Sequence, residues 1–321
     1  MSIGRGWSWL ARRAPLWLLA LGLALLVVSC GGAVQAPVVE APAPPPPKPR
    51  NAATLAQAIA GGKVSVLVYA DRTRGHPIAT RLAEMNLWGP VLDGTGIDPQ
   101  KDLARAFMTA PSVRAERDAV VVLEHKLSPE RLGTGLDSLM ARSDPPATEL
   151  DGLGVPAIRV TLQGHTRVIA TIEPSFLVVL PEDKAALAKK FVGTGGFPEP
   201  TGDEAAVAMA VEPARTLRAP NAPRVPETVR SLEAKITLTK DGGADVLLDG
   251  PSTSPEQAQA DAAALTDAID RATTVRVAIV KIRFFDPVRF RAEEDRIKSK
   301  RHVTPGEVDR LFSLLATVLP R

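Results

Sequence analysis

Apolar positions along the chain fall into two repeating rhythms, and the rhythm changes at each predicted element. Residues 52–60 show helical spacing with Asn51 placed as the N-cap. In "KVSVLVYAD" (63–71) apolar residues occupy both alternating sets, which predicts a strand covered on two sides. Residues 76–94 predict a helix with Ile78, Leu82, Met85 and Trp88 on one face. Strands follow at 105–114 and 118–126, then a helix at 128–140 with Ser128 as N-cap, Pro129 in its first turn and Leu132, Leu136 and Leu139 on one face. Residues 155–162 predict a further strand. The order βαββαβ is that of a ferredoxin-like unit.

A second series begins at 205–212 with a strand. A proline-broken stretch with a short helix near 225–232 comes next. Strands 233–240 and 243–250 form a hairpin around Asp241-Gly242. A helix at 254–272 places Ala258, Ala262, Leu265, Ile269 and Ala272 at helical spacing, and 274–285 is the closing strand. "VVVLEHKLSPERL" and "ADVLLDGPSTSPEQA" both run strand, turn, Ser-Pro-Glu, helix. Shared order and shared cap point to an internal duplication. Between the halves lie strands at 166–173 and 175–181 and a helix at 182–193. After them come a hairpin at 287–303 and a last helix at 304–319, capped by Thr304. The expected fold is therefore α+β: two tandem βαββαβ-like units, 51–195 and 203–321, with extra strands and helices, divided at "GGFPEPTG" (195–202).

The first fifty residues follow neither rhythm. Arg5, Arg12 and Arg13 precede a run from Ala14 to Ser29 without charge, the layout of a secretory signal. That run is slightly short for a spanning helix, which needs about 20 apolar residues, so an uncleaved anchor is the weaker alternative. Val27-Val28-Ser29-Cys30 places the chain's single cysteine at the end of the run. This stretch resembles the lipobox of bacterial lipoproteins: an aliphatic residue, a tolerant position, a small residue, then cysteine. The resemblance implies cleavage after Ser29 and a diacylglyceryl group on Cys30, giving segments 1–29 (signal) and 30–50 (lipidated cysteine and linker). It also implies a bilayer as the partner of the lipidated end. Gly31-Gly32, where an acidic residue would favour inner-membrane retention, leans toward the outer membrane. Residues 31–50 contain the run Pro44 to Pro47 flanked by Pro42 and Pro49, a polyproline spacer reaching roughly 60 Å when extended.

Charge follows from the signal. The precursor has a formal charge of +3, and its first thirty residues carry three arginines and no acid, so the remainder is formally neutral. Its basic isoelectric point is no sign of nucleic-acid binding. The histidines, His76, His125, His165 and His302, have no metal-ligand spacing, and no nucleophile elbow or phosphate loop is present. "GTGG" (193–196) reads as linker and "DGTGID" (93–98) as a turn. No cofactor is expected. The one surface feature is a basic run from 276 to 302, in which Arg289, Arg291, Lys298 and Lys300 are expected to share a strand face and meet an anionic surface. These features predict a non-catalytic, membrane-tethered envelope protein that serves as an interaction or structural module, with an envelope protein as partner. The alternative is a carrier holding a small or lipidic ligand between sheet and helices.

Overall fold

The computed structural model describes residues 51–84, 94–162, 164–219, 222–277, 280–283 and 286–318. The signal, Ser29, Cys30 and the proline-rich spacer lie outside them, as do Met85 and Trp88.

Helix α1 (Ala52–Ala60) opens the fold. Asn51 caps it by accepting from the Thr54 N–H at 2.7 Å, and Gly61 ends it at φ 63°, a left-handed turn that favours glycine. Strand β1 (Val64–Tyr69) leads into one-turn α2 (Ala70–Thr73), α3 (Pro77–Glu84) and one-turn α4 (Pro99–Asp102). Next come β2 (Leu103–Ala110), β3 (Val120–His125), α5 (Pro129–Ala141), β4 (Thr148–Glu149), β5 (Ala157–Leu162), β6 (His165–Ile172), β7 (Phe176–Pro181) and a 3-10 helix (Glu182–Phe191). The second half runs β8 (Ala206–Val211), one-turn α6 (Pro213–Thr216), β9 (Ser231–Leu238), β10 (Ala244–Pro251), α7 (Pro255–Ala272), β11 (Thr274–Val277), β12 (Val280–Arg283), β13 (Arg291–Glu293), β14 (Arg296–Val303) and α8 (Pro305–Val318).

Twelve strands make one antiparallel sheet in the order β13-β14-β10-β9-β8-β1-β2-β3-β7-β6-β5-β4. Mixed helices over a large antiparallel sheet make this an α+β fold. The strand order corrects the ferredoxin-like expectation. In that arrangement a strand slots between the two joined by the first crossover, whereas here β1 lies directly beside β2. Strand periodicity is blind to this difference, because order along the chain does not fix order across the sheet. Three further expectations change. Residues 274–285 do not close the sheet; β11 and β12 pair with each other as a separate ribbon. The segment at 182–193 is a 3-10 helix, and the described helix of the proline-broken stretch is α6 rather than one at 225–232.

Counted outward from the centre, one half reads β1, β2, β3, β7, β6, β5, β4 and the other β8, β9, β10, β14, β13, so the inner five positions correspond and β5 and β4 extend the first half alone. A one-turn helix follows both β1 and β8. The helices α5 and α7 both start at Ser-Pro-Glu, with Ser128 Oγ accepting from the Arg131 N–H and Ser254 Oγ from the Gln257 N–H. The halves meet where β1 pairs antiparallel with β8, with Val66 opposite Ala208 at the middle of the ladder.

The two faces of the sheet are covered unequally. On one face α3, α7 and α8 pack on Val66, Ala208, Ile236 and Val246, and α5 packs on Ile158, Ile169 and Leu177. The opposite face carries α1 and the 3-10 helix only over the first half, against Leu67, Tyr69, Phe107, Val122 and Val178. Strand β1 is thus buried on both sides, as its continuous apolar run requires. Helix α7 also buries a carboxylate. Asp261 is 1% exposed and accepts from Ser252 Oγ (2.5 Å), Thr228 Oγ1 (2.6 Å) and Gln257 Nε2 (2.8 Å), which pins the 222–230 loop and the end of β10 to the helix. A buried carboxylate with three donors is satisfied.

Candidate functional site

Over the second half the opposite face has no helix upon it among the described residues. Strands β9, β10 and β14 alternate between buried and partly exposed positions, the mark of an antiparallel sheet with one wet face. Register defines its rows. Leu67 of β1 stands opposite Phe107 on one side and Val207 on the other. The row then continues through Lys235, Leu247 and Lys300. It begins in the core under α1 and ends in water, with Leu247 41% exposed and no acidic residue in it. The neighbouring row is Met209, Glu233, Asp249, Lys298 and Arg291.

The basic run is largely neutralised. Arg296 meets Asp249 at 2.9 Å and Lys298 meets Glu293 at 2.6 Å, and these hydrogen bonds raise the pKa of each cation. Arg291, Lys298 and Lys300 share the open face, whereas Arg289 does not. It precedes β13, outside the alternation, and its Nη1 reaches Asp270 on α7 at 3.4 Å. Arg301 turns inward to Glu307. Among the described residues Arg291 and Lys300 have no carboxylate within ion-pair distance. Lys235 and Leu247 are the members of this surface that sequence reading missed. The alternation of "EAKITLTK" exposes Lys235, but only register sets it beside Leu247.

Residues 195–204 are no free linker. Phe197 is buried between Phe107 and Phe176, with ring centroids 6.4 and 5.8 Å away. Tyr69 Oη donates to the Pro198 carbonyl at 3.3 Å, Arg72 donates to the Glu204 carbonyl at 2.9 Å, and Arg105 bridges Glu124 (3.2 Å) and Glu199 (3.0 Å). Asn51 forms a bridge to Gly195, so the N-terminal segment enters the fold beside this strap, on the face that carries α1.

The histidines are dispersed. His76 Nδ1 accepts from the Ile78 N–H, leaving Nε2–H to donate to the Thr239 carbonyl at 2.9 Å. His125 is buried, with no hydrogen-bond partner for either ring nitrogen. His165 lines an open cleft of about 620 Å³ with Arg117, Arg167, Asp118, Glu182 and Asp183, a mixed polar lining. His302 sits between two carboxylates, Nε2 at 2.9 Å from Asp241 and Nδ1 at 2.9 Å from Asp245. A neutral imidazole can donate from only one nitrogen, so this geometry favours the cation and raises its pKa, the Asp245 bond being the largest cause. Asp241 is lowered to about 2, chiefly by its bond from Thr239. A raised histidine pKa stabilises the fold below the unfolded value and loses that contribution as pH rises through the folded one. His302→Asn should therefore cost a measurable amount at pH 6, about 0.5–1 kcal/mol given its exposure, and nothing at pH 9. Equal urea midpoints for the two proteins at pH 6 would contradict this.

In the described part of "DGTGID", residues 94–98, Asp98 caps α4, accepting from the Gln100 N–H at 2.9 Å. Buried Asp102 takes a two-pronged bond from Arg131 (2.9 and 2.8 Å). No group of three potential metal ligands occurs among the described residues, and no described helix is long and apolar enough to cross a membrane.

No family model and no curated protein matches this sequence. A solved structure titled "Structure of crystal form I of TP0453" aligns with 10% identity over 81% of this chain and 95% of that one, at a TM-score of 0.44. The functional reading therefore stands on this chain's own residues.

Proposed function

We propose that this chain is a lipid-anchored protein of the bacterial envelope, tethered through diacylglyceryl-Cys30, and that it works by binding rather than by catalysis. The observation that carries the reading is the placement of the only cysteine at the end of the uncharged run, directly after Ser29. The spacer that follows leads into a capped helix at Asn51, so a semi-rigid tether meets a rigid anchor point. Two acyl chains suffice for stable anchoring where one does not. Gly31-Gly32 favours the outer membrane.

The halves 51–195 and 203–321 are proposed to descend from one duplicated unit. Matching strand order, matching one-turn helices and matching serine caps support this. The repeated unit is a three-strand meander, a helix and a returning hairpin.

The test is fractionation with mass analysis of the mature N-terminus. The wild-type protein is expected in the membrane fraction with a lipid-modified residue at position 30, and Cys30→Ala in the soluble fraction. An unmodified Cys30 in a membrane-bound protein would overturn the lipoprotein reading. In-cell cross-linking of both forms then tests for an envelope partner lost with the anchor.

A further inference from the structure

We propose that the open sheet face over β8, β9, β10 and β14 is a docking surface for an anionic bilayer, with Lys235, Lys300 and Arg291 meeting lipid phosphates and Leu247 and Val207 meeting the interface between them. The inference rests on the tethered reading and specifies how the tethered domain lies on its membrane. Three observations carry it. The tether enters at Asn51 beside Gly195, on the face of the sheet that carries α1, and that same face is left open over the second half. A tether attached on that side lets the open half face the surface that holds the lipid. The row Val207, Lys235, Leu247, Lys300 alternates apolar and cationic side chains and contains no acid. Finally, the acids nearby are already occupied, Asp249 by Arg296, Glu293 by Lys298 and Glu233, loosely, by Lys235 at 3.6 Å, which leaves Arg291 and Lys300 facing outward without a carboxylate and Lys235 on the same face with a Thr201 hydroxyl at 2.9 Å. Lysines near an anionic membrane contribute about 1 kcal/mol apiece.

The experiment uses the natural lipidated protein reconstituted in phosphatidylcholine vesicles, with or without phosphatidylglycerol. A membrane-impermeant amine acetylating reagent is applied, and modification is read residue by residue by mass spectrometry. Lys235 and Lys300 are expected to be modified several-fold more slowly on the anionic vesicles. Lys101, 81% exposed beside α5 on the other side of the sheet, should be unaffected. Added salt should erase the difference. In a second measurement, Cys30→Ala protein should bind phosphatidylglycerol vesicles, and adding Lys235→Ala and Lys300→Ala should weaken that binding by roughly 30-fold, about fivefold for each lysine. Equal modification on both vesicle types would overturn the docking surface. So would protection in detergent that grows with protein concentration, which would assign the face to a second copy of the chain. Failure of the wild-type protein to stay on phosphatidylcholine vesicles would instead overturn the tether, and the binding of Cys30→Ala would still decide the face.

Discussion

Glu307→Gln should destabilise the fold by about 3–5 kcal/mol, almost as much as Glu307→Ala. Glu307 is 1% exposed and Arg301 is 7% exposed. Thr304, in the loop before α8, and Glu307 form a capping box: the Glu307 N–H donates to Thr304 Oγ1 at 3.3 Å, and the Thr304 N–H donates to Glu307 Oε2 at 3.1 Å. The other carboxylate oxygen accepts from the Asp286 N–H at 3.0 Å and pairs with the Arg301 guanidinium, which also donates to the Asp286 carbonyl at 3.0 Å. One carboxylate thus ties the end of the sheet, the chain entering β13 and the start of the last helix together. Burial disfavours the Arg301 cation and lowers its pKa, so the buried charge needs a partner to offset its lost hydration. Glutamine keeps a cap acceptor but strands the cation in a place water does not reach. Adding Arg301→Met in the glutamine background should recover most of the loss, because a methionine stem fills similar space without charge. A double-mutant cycle in urea separates the two effects. A Glu307→Gln protein within about 0.5 kcal/mol of wild type would show that the cap, and not the ion pair, secures α8.

The features legible in the sequence are those decided within a few residues. Ser128, Ser254 and Thr304 cap helices where Ser-Pro-Glu and Thr-Pro-Gly-Glu predict them, and Asp241-Gly242 turns the β9–β10 hairpin with Gly242 at φ 90°. The burial of β1 on both sides was readable from its unbroken apolar run. Sheet order was not, because Val66 finds Ala208 across more than a hundred residues and no local pattern names that partner. Helical spacing sets Asp261 three residues after Ala258 and four before Leu265, on the flank of the buried face of α7. What no local pattern names is the set of donors that satisfies it there, since two of them come from Thr228 and Ser252 in other segments. The candidate surface shows the same division. Alternation within β13 and β14 sets Arg291, Lys298 and Lys300 on one face, but Arg289 precedes β13, where there is no strand for alternation to act on. Lys235 and Leu247 joined the surface through register alone.

His125→Leu should make the protein more stable, by about 1–2 kcal/mol at neutral pH, and remove part of its acid sensitivity. Alternation along β3 puts His125 on the face of Leu123, which packs under α5. Its backbone N–H is satisfied by the Ser175 carbonyl at 2.9 Å, but both ring nitrogens are buried without a partner among the described residues. The nearby acid offers no relief, since Asp102 is engaged by Arg131. Burial holds the His125 pKa below its ordinary value of 6.5. The unfolded chain then binds a proton as pH falls through 6.5, and the folded protein does not. Stability is therefore full above 6.5 and declines as pH drops toward the lower, folded value. His302 acts in the opposite sense, adding stability on the acid side, so wild-type protein sums two opposed limbs. Urea midpoints of wild type, His125→Leu, His302→Asn and the double variant at pH 5 and 8 resolve them. His125→Leu should flatten the fall on the acid side, and His302→Asn should steepen it. An unchanged acid limb in His125→Leu would mean that the imidazole is protonated within the fold, and a site-specific titration of its ring by NMR would then place its pKa at or above 6.5. The stabilising direction is the sharper test, because it requires that neither ring nitrogen be hydrogen-bonded in the fold.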